Sequence, residues 1–192
     1  MNHRVYLAGP DVFLPDPAAR AVALKDICAR HGLLAVFPLD PLLDEPSCWA
    51  DLPEPHRIAR RNEAHIRASD AIIANLTPFR GPGADAGTVY EVGFGRALGL
   101  PVFGFMTLAE DYAARVHCLP GCSGACDADG LTIEDFGLFE NLMIACAIAE
   151  SGGAIVAEAA NDRWGDLIVF ERCVAQAAKV LGGAQLAAGS DA

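Results

Sequence analysis

The chain has 192 residues, a formal net charge of −11, and 53% hydrophobic against 20% charged residues. It is long enough for one sizeable core and too apolar for disorder, and its acidity argues against nucleic acid or anionic membrane as a partner. No apolar run reaches the roughly eighteen residues of a membrane span, and Met1-Asn-His-Arg leads straight into a strand pattern, so a cytoplasmic protein acting on a neutral small molecule is expected.

In chain order, the first apolar run, 4–8, carries Tyr6 and ends in a Gly9-Pro10-Asp11 turn, with Phe13 just beyond. A helical pattern over 17–31 separates it from a second run, 34–37, which Asp40 follows. A helix over 55–68, containing Asn62, leads to the third run, 71–76. That run opens into a loop bearing Phe79, Arg80 and Asp85, and then into a helix over 86–98 that carries Gly87 and Glu91. After the fourth run, 101–105, comes a long insertion, 107–136, with an Asp-Ala-Asp-Gly turn; loops of that length are usually functional or mobile. A helix over 138–149 including Asn141, a fifth run at 153–156 and a helix over 162–181 follow, and 182–192 reads as a flexible tail. Strands alternating with helices specify crossover connections. The expectation is a single α/β domain, 1–181, of flavodoxin-like (Rossmann-like) three-layer form, its five-stranded parallel sheet in the order 2-1-3-4-5.

This order sorts the acids. Asp11, Asp40, Asp85 and Glu91 all follow carboxyl ends of strands and can meet above one edge of the sheet, where open α/β folds place their ligands. Asp70 precedes the third strand, at the opposite edge, and reads as a turn contact. Asp85 is placed to cap the following helix. Glu91, in its second turn, shares a face with Gly87 and Gly95, and glycines there leave the carboxylate open to a flat or bulky ligand.

Two carboxylates and a phenol around a glycine-lined cleft suit displacement at an acetal-like carbon through an oxocarbenium-like transition state. Glu91 is the candidate nucleophile, and Tyr6 is placed to hold one of its oxygens. Phe13 and Phe79 are candidates for stacking on an aromatic ring, against the simpler reading that they only pack. His117, Cys118, Cys122 and Cys126 have zinc-ligand chemistry, but a single run would have to wrap the ion. The odd total of seven cysteines points instead to reduced thiols, and no metal or cofactor is expected.

Tyr6-Leu-Ala-Gly-Pro10, Asn62, Asp70-Ala-Ile-Ile-Ala-Asn-Leu-Thr-Pro-Phe-Arg-Gly81, Asp85-Ala-Gly-Thr-Val-Tyr-Glu91-Val-Gly93 and Asn141-Leu-Met143 together resemble the nucleoside 2-deoxyribosyltransferase family, in the branch with a Pro-Phe-Arg-Gly loop. The resemblance implies that Glu91 takes 2-deoxyribose from a deoxyribonucleoside as a covalent intermediate, which a second nucleobase attacks with net retention. It implies that Asp85 handles the base and its proton, that Tyr6 orients Glu91, and that Asn62 hydrogen-bonds where other branches place an aspartate. Gly9, Pro10, Asp11, Phe13, Asp40, Phe79, Arg80, Gly87 and Asn141 complete the expected substrate-binding set. Homodimers or larger assemblies with pockets shared between subunits are implied as well. Two rivals remain: an N-glycosidase that hydrolyses deoxynucleosides or their 5′-monophosphates, and a non-catalytic nucleoside or nucleotide sensor. A monophosphate would need a basic cradle, and Arg80 is the sole basic residue of the third-strand loop.

Overall fold

A computed structural model of the protein describes residues 3–189. Strands β1 (His3–Ala8), β2 (Leu33–Val36), β3 (Ala71–Asn75), β4 (Val102–Met106) and β5 (Ile155–Ala157) form one sheet in the order 2-1-3-4-5. Every neighbouring pair is parallel, as right-handed crossovers through helices require. The crossovers use α1 (Pro17–Arg30), α2 (Glu54–Arg67), α3 (Ala86–Ala97) and α5 (Leu142–Glu150), and α6 (Ile168–Gly189) follows the last strand. A short helix, α4 (Tyr112–His117), lies within the insertion.

Side chains alternate across a pleated strand, and that alternation builds two cores. Val5, Leu7, Ile73, Phe103 and Phe105 pack with Leu24 and Ile27 of α1 and Phe170 and Val174 of α6. Tyr6, Ala8, Ile72, Ala74 and Val102 face the other way, onto Ile66 of α2, Val92 of α3 and Ile148 of α5. The period of two therefore turns Tyr6 toward α3, the helix that carries Glu91. Asp70 sits at the far edge, accepting from the Arg4 backbone amide at 2.8 Å.

Boundaries differ from expectation where side chains cap the backbone. The helix expected from 138 begins only at Leu142, because Asn141 accepts from the Met143 amide at 3.0 Å and Glu134 from the Leu142 amide at 2.5 Å. The helix expected from 162 starts at Ile168, after turns closed by Asp162 and Asp166. Where a tail was expected from 182, α6 runs on through two glycines to Gly189, and residues 190–192 lie outside the described ones. Each glycine weakens a helix by about 1 kcal/mol, but the Ala-Gln-Leu-Ala-Ala stretch that follows consists of strong helix formers. The insertion is more ordered than a bare loop: Ala113, Val116 and Ile133 form a small apolar cluster, and Asp127 closes its turn onto the amides of Asp129 and Leu131.

Gly95 does not clear access to Glu91. It packs on the sheet, and a Cβ there would lie 2.2 Å from Cδ1 of Ile72, which is fully buried. An alanine gains about 1 kcal/mol of helix propensity, but overpacking a closed core costs about 1–3 kcal/mol. The clash is severe, so Gly95→Ala is expected to be destabilising on balance, by about 1–2 kcal/mol in urea denaturation. A gain in stability would show that Ile72 has room to move.

Candidate active site

The site is assembled from the loops at the carboxyl ends of the strands. Asn75, the last residue of β3, is buried and donates through Nδ2 to Asp11 Oδ2 at 2.7 Å. Arg20 Nε from α1 donates to the other Asp11 oxygen at 2.7 Å. These bonds draw the first loop against the end of β3, where only glycine fits at position 9: a Cβ there would lie 2.7 Å from that of Asn75. The loop continues as a single 3-10 turn, Pro10–Phe13, that presents Val12 and Phe13 to the cleft.

Across the cleft, Asp85 caps α3, accepting from the Thr88 amide at 3.0 Å and from its hydroxyl at 3.2 Å. Thr88 and Val92 face the sheet, which leaves Glu91 at the rim of the interior. The Tyr6 hydroxyl donates to Glu91 Oε1 at 2.6 Å from a fully buried position on β1. Asn62 Nδ2 approaches the same oxygen at 3.5 Å, while Asn62 Oδ1 is buried without a donor among the described residues. Glu91 Oε2 takes no hydrogen bond from the described residues, so one oxygen is held and the other is left for a ligand.

Burial pushes the Glu91 carboxyl up to about 7; the Tyr6 hydrogen bond opposes the rise and the Asp85 charge adds to it. Burial, with the Glu91 charge beside it, pushes the Tyr6 phenol far up, so that it stays a donor. A carboxylate poised near neutrality beside a second acid is an arrangement expected of functional sites rather than of solvated helix faces.

The cleft encloses about 340 Å³ and is lined by Gly9, Phe13, Asn62, Asp85, Gly87 and Glu91, among others. Gly87 keeps the approach open beside Asp85. Glu91, Asn62 and Gly87 also border a second, apolar hollow between α2 and α3, where Ile58 and Tyr90 lie. Pro10, Phe79 and Arg80 line a neighbouring hollow that shares only Phe13 with the cleft. There Phe13 and Phe79 stack on one another at 5.4 Å, and the Arg80 guanidinium lies over Phe79 at 4.6 Å.

Pro10, Phe79 and Arg80 thus stand beside the cleft, and three further expected residues line neither hollow. Asp11 is buried with both oxygens taken by Arg20 and Asn75. Asp40 turns back to accept from the Phe37 amide at 2.9 Å and from Lys25 Nζ at 2.5 Å. Asn141 is spent on capping α5 and on Glu134, to which its Nδ2 donates at 2.8 Å. Conversely, Val12, Pro38, Leu39, Ile58 and Thr88 line the cleft without having been expected there. Pro38 and Leu39 follow a strand end, and Ile58 precedes Asn62 by one helical turn, so position alone carried a signal for them. No group of three or more His, Cys, Asp or Glu side chains among the described residues is arranged to hold a metal. No helix among the described residues is long and apolar enough to cross a membrane.

The family model described as nucleoside 2-deoxyribosyltransferase matches residues 5–143. An uncharacterised protein of Schizosaccharomyces pombe is 31% identical over 170 residues, which span 80% of this chain and 81% of that protein. A solved 2-desoxiribosyltransferase from Leishmania mexicana is 28% identical with a TM-score of 0.61, covering 90% of this chain and 97% of that one. A conserved protein from Enterococcus faecalis shares the fold at 20% identity and a TM-score of 0.56, over 92% of this chain and 99% of its own. The matched span runs from the strand of Tyr6 to the start of α5 and encloses Asp85 and Glu91, and on that extent of match the chain belongs to the nucleoside 2-deoxyribosyltransferase family.

Proposed function

We propose that the protein moves 2-deoxyribose between nucleobases through a covalent ester to Glu91. The observation that carries this reading is the 2.6 Å bond from Tyr6 to one Glu91 oxygen, with the second oxygen unengaged at the cleft. In the first step that second oxygen attacks C1′ of a deoxyribonucleoside. The C1′–N bond breaks, its electron pair leaves with the base, and Asp85 supplies or relays the proton the base takes up. In the second step another base attacks C1′ from the vacated side and gives up its N–H proton to Asp85, the ester bond breaks back to the Glu91 carboxylate, and two inversions give net retention. Asn62 and Tyr6 hold the carboxylate in line for both steps. Water in place of the second base yields free deoxyribose, so hydrolysis shares the intermediate.

A free nucleoside suits this cleft better than a 5′-monophosphate. Its lining includes Asp85 and Glu91 but no lysine or arginine, and Arg80 and Arg163 line the neighbouring hollow instead, so within the cleft itself nothing offsets the charge of an added phosphate. Incubating the protein with 2′-deoxyinosine and adenine, followed by chromatography, is expected to yield 2′-deoxyadenosine only when adenine is present. Deoxyribose and hypoxanthine alone would make the protein a hydrolase. Absence of any turnover, on nucleosides and monophosphates alike, would leave a sensor.

The same reading fixes the pH dependence. Attack needs the ionised carboxylate, and protonation through a pKa of about 7 removes it. The kcat/KM profile is therefore expected to fall about tenfold per pH unit below neutrality. Tyr6→Phe deletes the bond that holds that pKa down, so the acid limb moves above 7 while kcat drops about 10–100-fold through lost alignment. An acid limb that stays in place in Tyr6→Phe would mean that the phenol does not touch the reacting carboxylate. Sharing of pockets between subunits belongs to this proposal too: light scattering is expected to show a dimer or larger, and a fully active monomer would oppose it.

A further inference from the structure

The insertion 107–136 takes no part in the cleft lining, yet among the described residues it supplies the most heavily engaged buried charge. Helix α4 is capped by Asp111, whose Oδ1 accepts from the Ala114 amide at 2.7 Å, and its last turn directs Arg115 inward. Arg115 is 8% exposed and its partner Glu140 is 1% exposed. The guanidinium donates through Nε to Pro82 O at 2.8 Å, through Nη1 to Glu110 O at 2.7 Å, and through Nη2 to Phe139 O at 2.7 Å and Glu140 Oε1 at 3.1 Å. Glu140 Oε1 in turn accepts from the Ala84 amide at 3.0 Å. The backbone is thus held on both sides of Gly83, and the next residue after Ala84 is Asp85.

Burying this pair is costly. Desolvation pushes the Glu140 carboxyl up and the Arg115 guanidinium down, the direction in which each would lose its charge. A loop that only had to be closed would be closed at least as well by apolar side chains, since a buried ion pair rarely stabilises more than a hydrophobic replacement. What the planar fork adds is fixed geometry in four directions at once.

We propose that Arg115, through Glu140, is a positioning residue for the reaction: the pair fixes Pro82 to Ala84 so that Asp85 keeps its place relative to Glu91 during turnover. This rests on the transfer reading given above. It assigns the insertion a role, as the carrier of the clamp.

The test is a pair of variants read for stability, kinetics and the state of Glu91. Arg115→Lys keeps the charge but cannot span the four acceptors; it is expected to fold normally and to lose kcat about 10–100-fold, with KM within about threefold, as a misplacement of about 1 Å would cause. Arg115→Met/Glu140→Leu removes both charges and is expected to melt no lower than the parent while kcat stays low. Loss of rate without loss of stability is a signature that a merely structural pair does not give. Should the double variant fail to fold, Arg115→Lys decides alone. A folded Arg115→Lys with parental kcat, or losses of kcat that track losses of stability across both variants, would overturn the proposal. If the parent itself does not turn over deoxynucleosides, the transfer reading fails separately. A ¹³C NMR titration of the Glu91 carboxyl then still tests the clamp: a midpoint displaced by about half a unit or more in Arg115→Lys supports it, and an unmoved midpoint contradicts it.

Discussion

Glu91→Gln is expected to lower base exchange by about 10⁴-fold or more, the scale seen when a nucleophile is removed while binding and the rest of the site remain. Glutamine retains the shape and an acceptor for Tyr6, so deoxynucleoside binding should persist. The same substitution is expected to stabilise the fold at alkaline pH. Folding raises the Glu91 pKa from its ordinary 4.5 to about 7, so the native state favours the protonated form. That stability is fully present below about 4.5 and is lost as pH rises through 7. Above that range the ionised group costs on the order of 2–3 kcal/mol, trimmed for its partial access to solvent. Glu91→Gln should therefore melt higher than the parent at pH 8, with the gap narrowing to under about 1 kcal/mol at pH 5. An equal gap at both pH values would show that Glu91 is not buried as a charge.

Asp85→Asn carries the second largest effect. Asparagine caps a helix as well as aspartate does, so α3 and the Thr88 contacts should survive. What is lost is a carboxylate that can relay a proton to the departing base, worth about 10²–10⁴-fold in kcat. Removing its charge also takes away one cause of the raised Glu91 pKa, so the acid limb of kcat/KM should move below 7. That is opposite to the shift expected in Tyr6→Phe. Chromatographic rates for both variants across pH 5–9 check the pair of signs, and shifts in the same direction would break the assignment of roles.

The parts of this site written in local order were legible before the structure. Strand, turn and helix succeed one another around Asp85 and Glu91, and Tyr6 lies in the strand whose carboxyl end meets that turn; the structure adds that Tyr6 is on the face covered by the helix of Glu91. The parts decided by a distant partner were not. Asp11 reads as a cleft acid until Asn75, 64 residues on, and Arg20 take its two oxygens. Asp40 sits correctly after β2, but Lys25 and its own loop amide turn it away. Asn141 reads as a ligand contact through the motif it shares, and in the structure its side chain caps α5. Gly95 has the helical spacing of an access glycine, and only the position of Ile72 shows it to be a packing glycine. The clamp from Arg115 to Glu140 joins residues 25 apart across an irregular segment, and no periodicity announces such a pair.

Mass spectrometry of the protein quenched in acid during turnover of 2′-deoxyinosine, with adenine withheld, addresses the role of Glu91 most directly. The prediction is a mass increase of one deoxyribosyl group, located after proteolysis on the peptide that contains Glu91, absent from Glu91→Gln and discharged when adenine is added before the quench. Turnover without an adduct in rapid-quench samples, or an adduct on another side chain, would contradict nucleophilic attack by Glu91.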